Sequence, residues 1–163
     1  MFEIWDKAKI SNLTTQEKDQ WYDVLNYELE QDRGISLNDP DLSHKQQIIK
    51  DDYFNYIESC PNNDSFYKYY IYKDNNKIIS VCRINIYNDE YILEGLQTHR
   101  DYYRKNYASK LILGMMESLK KDGIKVLYSE ARVWNTTSNA LQTKLGFIKY
   151  GQNGINNLYK INL

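Results

Sequence analysis

The 163-residue chain carries 42% hydrophobic and 26% charged residues, the balance of a globular protein and not of a disordered one. Its 21 lysines and arginines stand against 22 acidic residues, so a net charge of −1 offers a polyanion no basic footprint, and nucleic acid is not an expected partner. No uncharged run approaches membrane-spanning length and the first ten residues include Glu3 and Asp6, so the chain is expected to be cytoplasmic and without a membrane partner.

Residues 1–163 fall within the range of one domain with its own hydrophobic core. Cys60 and Cys82 have neither CxxC spacing nor a histidine cluster, so neither a metal site nor a disulfide framework is expected. The sixteen tyrosines accompany many Asn, Ile and Lys residues and carry no functional message alone.

Phe2 to Ile10 is a short strand candidate. Thr14-x-x-Glu17 has the form of a capping box, and Trp21, Val24, Leu25 and Leu29 follow at helical spacing. Residues 31–42 read as a loop and Leu42 to Ser59 as a second helix. Phe66 to Tyr72, Lys77 to Tyr87 and Tyr91 to Thr98 form an antiparallel meander with turns at Asp74-Asn75-Asn76 and Asn88-Asp89.

The pattern then changes. Ala108, Leu111, Ile112, Met115, Met116 and Leu119 recur at steps of three and four up to Asp122-Gly123, the mark of an amphipathic helix. Val126 to Val133 is a strand and Thr137 to Leu145 a short helix closed by Gly146. Phe147 to Tyr150 and Leu158 to Ile161 are a closing strand pair around a Gly151/Gly154 loop. This order calls for a mixed α/β (α+β) fold, a central sheet covered by helices.

The stretch Leu93 to Lys110, LEGLQTHRDYYRKNYASK, runs from an apolar strand through a polar loop into the amphipathic helix. The first amides of a helix have no internal partners and its dipole adds positive charge there, so such a junction suits a pyrophosphate. Arg104, Lys105 and Lys110 add side-chain charge, although a solvated helix start has the same composition. Downstream, VWNTTSNALQTKLGF places an Asn just past a strand, then a short helix, then Leu-Gly-Phe.

Residues 93–110 followed by 126–148 resemble the two central motifs of the GNAT superfamily of acyl-CoA N-acyltransferases. The resemblance implies a mostly antiparallel sheet of about seven strands flanked by about four helices. It also implies acetyl-CoA or another acyl-CoA as co-substrate and no metal. The family's Gln/Arg-x-x-Gly-x-Gly/Ala loop matches Tyr103-Arg104-Lys105-Asn106-Tyr107-Ala108, followed by Ser109. Tyr103 stands where Gln or Arg is usual, and Asn106 where the first Gly is usual. Asn tolerates a left-handed backbone better than other non-glycine residues, so the loop is expected to keep its shape.

The resemblance further implies that the strand before the loop splays from its neighbour and pairs with the coenzyme's pantetheine amides through Leu96, Gln97 and Thr98. It places Asn135 against the coenzyme arm. Gln142 holds the position where many members have a tyrosine that protonates the leaving thiolate, and Gln is no acid. A slower enzyme is then expected, or another donor such as Tyr128, Tyr150 or water, with Tyr128 the first choice. Of the carboxylates able to deprotonate an ammonium, Glu94 is preferred over Glu130.

The expected function is transfer of an acyl group, above all acetyl, from acyl-CoA to a primary amine on a small molecule or protein. The alternative is a weak or inactive acyl-CoA-binding module that senses the coenzyme or pairs with another subunit. A monomer or a homodimer fits either.

Overall fold

Neighbouring residues of a β-strand point to opposite faces, and the aromatic-rich middle of the chain uses both. In the computed structural model, which describes Met1–Leu163, β1 spans Phe2–Trp5, β2 Phe66–Asp74, β3 Lys77–Tyr87 and β4 Glu90–Thr98. Tyr69 and Ile71 of β2 and Val81 of β3 pack into one core, while Tyr70, Cys82 and Ile84 pack into another. The turns at Asn75-Asn76 and Asn88-Asp89 have positive φ at both residues, the backbone that two-residue hairpins require.

The sheet continues through β5 (Val126–Arg132), β6 (Ile148–Asn153) and β7 (Asn156–Asn162), in the spatial order β1-β2-β3-β4-β5-β7-β6. Every neighbouring pair is antiparallel except β4 and β5. Parallel neighbours need a crossover, and the amphipathic helix supplies it. This is the seven-stranded mixed sheet expected from the sequence.

Five helices cover the sheet: α1 (Lys7–Ile10), α2 (Thr15–Asp32), α3 (Leu42–Ser59), α4 (Tyr107–Lys121) and α5 (Thr136–Lys144). On one face α2 and α3 bring Trp21, Val24, Leu25, Phe54 and Ile57 onto Trp5, Tyr69, Ile71 and Val81. On the other, α4 brings Leu111, Ile112, Met115, Met116 and Leu119 onto Tyr70, Cys82, Ile84, Leu93 and Leu127. The expected capping box is present, with Thr14 and Glu17 each accepting from the other's backbone amide. Gly114 lets α4 approach β1, because a Cβ there would lie 2.9 Å from the Phe2 ring.

Two boundaries differ from the sequence reading. The first strand stops at Trp5, not Ile10, because the Asp6 carboxylate accepts from the Lys9 amide and opens the one-turn α1. The closing pair is longer than expected: β6 runs through Gly151 to Asn153, past a register shift between Lys149 and Gly151. Gly151 is therefore a strand residue at a bulge, and the turn lies at Gly154-Ile155. No helix is long and apolar enough to cross a membrane.

Candidate active site

The site begins where the sheet comes apart. β4 and β5 pair only at Tyr91–Leu127, Ile92–Tyr128 and Leu93–Ser129. Past these pairs β4 stays with β3 and β5 stays with β7, so the two strands fork. A bulge accompanies the departure: the β3–β4 register shifts between Val81 and Arg83, and Gly95 takes a φ of +58°. A cavity of about 410 Å³ lies here, lined by Ile92, Leu93, Glu94 and Gly95 on one side and Glu130, Ala131 and Arg132 on the other.

Leu96, Gln97 and Thr98 form the outer β4 arm of the fork. Gln97 and Thr98 pair with Val81 and Ser80 of β3, and no strand pairs with their other edge. The Gln97 side chain donates to Glu28 of α2, and the Thr98 hydroxyl lies 2.8 Å from that of Ser80. The main chain along the fork is thus open.

β4 leads through a short 3-10 segment, Arg100–Tyr102, into α4. Arg104 and Asn106 have φ of +60° and +63°, so Asn106 does take the left-handed backbone where glycine is usual. Its side chain does not cap the helix, and the amides of Tyr107, Ala108 and Ser109 make no hydrogen bond within the chain. They are free donors at a helix N-terminus. The Lys105 and Lys110 ammonium groups lie over the rings of Tyr102 and Tyr107, each 5.1 Å from the centroid. The Tyr107 hydroxyl is anchored 2.7 Å from Asp74 Oδ2.

One cation of this site was not foreseen. Lys144, in the last turn of α5, donates to Asn106 Oδ1 at 3.0 Å. Arg104, Lys105, Lys110 and Lys144 form no ion pair with any carboxylate. Four uncompensated cations beside three free amides make an electropositive mouth suited to a phosphate group. Lys144 is 38 residues from Asn106 in the chain, and only the α4–β5–α5 crossover brings the two together.

The carboxylates differ in their engagements. Glu94 Oε2 accepts from Arg83 Nε at 3.1 Å, from Arg83 Nη2 at 3.0 Å and from Asn85 Nδ2 at 2.9 Å, while Oε1 has no partner. Glu130 accepts only the Asn156 amide. If the β4–β5 pairing continued it would set Glu94 beside Glu130, so the two flank the opening of the fork. Tyr128 lies outside the cavity lining, its ring edge-on to Tyr150 at 6.1 Å. Partial burial, then the nearby carboxylates of Glu90 and Glu130, hold the Tyr150 hydroxyl above the usual phenol range, which makes it a weaker acid.

Asn135 proves to be the N-cap of α5, its Oδ1 accepting from the Ser138 amide at 3.0 Å. Nδ2 of Asn135 makes no hydrogen bond within the chain. Gln142 points inward, 3% exposed, and donates to Ser129 Oγ at 2.6 Å.

Comparison with known proteins gives the family and the fold. The model of the acetyltransferase (GNAT) family matches residues 19–147. The chain belongs to the GNAT acetyltransferase family. Solved structures with this GNAT fold include the PaiA N-acetyltransferase of Thermoplasma acidophilum in complex with coenzyme A. It is 17% identical, with a TM-score of 0.69 over 100% of this chain and 99% of that one. The Campylobacter jejuni N-acetyltransferase PseH in complex with acetyl coenzyme A is 13% identical, with a TM-score of 0.69 over 99% of both chains. The Escherichia coli ribosomal-protein-S18-alanine N-acetyltransferase is 16% identical, with a TM-score of 0.60 over 99% of this chain and 94% of that one. Comparison with curated proteins returned no match.

Proposed function

We propose that the chain transfers an acyl group, acetyl first of all, from acyl-CoA to a primary amine by direct attack within a ternary complex. The observation that carries this reading is the fork between β4 and β5, with the free amides of Tyr107, Ala108 and Ser109 at its open end. Family membership supports it, as do the coenzyme A and acetyl coenzyme A bound in the PaiA and PseH structures of the same fold.

The residues suit the coenzyme. Its pyrophosphate matches the amides of Tyr107 to Ser109 and the charges of Arg104, Lys105, Lys110 and Lys144, with Asn106 holding the turn. The open edge of Leu96, Gln97 and Thr98 can pair with an extended arm carrying amides as a further strand would. The Nδ2 group of Asn135 is available to the same arm.

The amine then attacks the thioester carbonyl inside the fork. Holding the two at reacting distance supplies the largest part of the rate, about 7–11 kcal/mol in the best intramolecular cases. Glu94 Oε1, half-buried and free, takes the proton of the ammonium directly or through water. A general acid for the sulfur is a smaller contribution, about 10²–10⁴-fold, and Tyr128 is the tyrosine assigned to it here, reached through water.

Calorimetry with acetyl-CoA, followed by a thiol-release screen over an amine library, tests the reading. Sub-millimolar binding and release dependent on one class of amine are expected. No binding at that concentration would remove the coenzyme, and with it the reaction.

A further inference from the structure

The cavity at the fork, about 410 Å³, has room for a small molecule and carries charge of both signs. Glu94 and Glu130 supply the negative charge, and Arg132 is the only cation in the lining. Alternation along β5 sets Glu130 and Arg132 on one face, because Ala131 between them packs into the core beneath α4 on the other. Arg132 is therefore turned away from the helix whose free amides suit the coenzyme, and toward the side from which an acceptor would enter.

The contacts of Arg132 leave its guanidinium unengaged. Arg83, the other guanidinium near the fork, donates to Glu94 Oε2 and to the Tyr56 hydroxyl. Arg132 forms no ion pair with any carboxylate. Glu130, two residues and so about 7 Å away along the strand, accepts from Asn156 instead. What steadies Arg132 is the ring of Trp134, 5.7 Å from its guanidinium and itself 58% exposed. A flat ring behind a guanidinium leaves the N–H fork open, and that fork matches a carboxylate with two parallel hydrogen bonds. The molecule that satisfies this lining has an ammonium for the two glutamates and a carboxylate for the arginine on one short frame.

We propose that the acceptor is a free amino acid, its carboxylate held by Arg132 and its amine set between Glu94 and Glu130. This rests on the acyl-transfer reading above. The ammonium gives one proton to Glu94 or water, and its nitrogen bonds the carbonyl carbon of the thioester. The carbon–sulfur bond then breaks, its electron pair passes to sulfur, and a second proton from the nitrogen reaches the sulfur through water. An N-acyl amino acid and CoA are the products, and Arg132 exchanges no proton. Simple amines, diamines and peptide N-termini bring no carboxylate near the amine, so each leaves Arg132 without its counter-ion.

Thiol release from acetyl-CoA tests this with the common amino acids, their amides, the matching decarboxylated amines and 1,4-diaminobutane. For at least one side chain, kcat/KM should be about tenfold or more higher for the amino acid than for its amide or amine. Arg132→Gln should bring that ratio close to one, mainly through a higher KM for the amino acid, and Arg132→Lys should restore part of it. Preference for the amides, the amines or 1,4-diaminobutane, or a ratio that Arg132→Gln leaves unchanged, overturns the amino-acid assignment and leaves acyl transfer standing. No thiol release with any amine, or no binding of acetyl-CoA by calorimetry, overturns the acyl-transfer reading and this assignment with it. Should Arg132→Gln not fold, the ratio in the wild type decides alone.

Discussion

Trp21 and the first turn of α4 sit on opposite faces of the sheet and are treated in opposite ways. Trp21 is fully buried among the rings of Trp5, Tyr53, Phe54 and Tyr69, with centroids 4.9–6.4 Å away. Only its indole nitrogen lacks a partner. The α4 turn keeps bare amides, left-handed residues and cations without counter-ions. The contrast separates a region that stabilises the fold from one that leaves polar groups unpaired, where the coenzyme is proposed to bind. Substitutions should therefore divide cleanly between losses of stability and losses of binding.

The largest effect is expected at Trp21. Trp21→Ala should lower the unfolding free energy by about 3–5 kcal/mol, measured by urea denaturation. A loss below about 1 kcal/mol would break the comparison. Next comes Ala108→Glu, which puts a carboxylate in the first turn of α4. The helix dipole favours it by about 0.3–1 kcal/mol, so the melting temperature should hold or rise. Acetyl-CoA should meanwhile bind about a hundredfold more weakly, about 2.7 kcal/mol. Weaker binding with a parallel fall in melting temperature would count against an anion site there.

The smallest effect belongs to His99, where the two regions meet. Its ring is buried, its Nδ1 accepts from the Asp101 amide, and Lys77 lies 3.4 Å from its Nε2. Burial first, and then Lys77, hold its pKa below the ordinary 6.5. The folded state thus favours the neutral ring. The resulting stability is complete above pH 6.5 and is lost as pH falls through that value toward the depressed one. His99→Gln should flatten that part of the melting-temperature profile, and an unchanged slope would show that another group sets it.

Much of the fold could be read because it is local. The Asn-rich turns, the Thr14–Glu17 box, the α4 periodicity and the left-handed Asn106 each depend on a few adjacent residues. The end of β1 was missed because the alternation of Phe2 to Trp5 continues in appearance into α1, and the Asp6 cap outweighed it. The β6–β7 turn was misplaced because Gly151 looks like a loop residue unless the bulge beside it is known.

The site was legible only where its features lie in one segment, as in the α4 loop. The clamp of Arg83 and Asn85 on Glu94 depends on strand register, and the Lys144–Asn106 contact on a crossover. The cap formed by Asn135 was open to a sequence reading, because Asn before a short helix is a common N-cap. The unpartnered Oε1 of Gln142 follows from which groups the fold brings near, and no residue type announces that.

With β4 and β5 joined by only three residue pairs, the sheet consists of two leaves, β1 to β4 and β5–β7–β6, bound along a short spine. Beneath that spine lie Leu93, Leu127 and Leu111, all within one tightly filled core. A spine acts on its pages as a lever, so a methyl group gained or lost there changes the gape of the leaves several residues away. The width of the opening is thereby expected to depend partly on Leu111 and Leu127, side chains that do not line it.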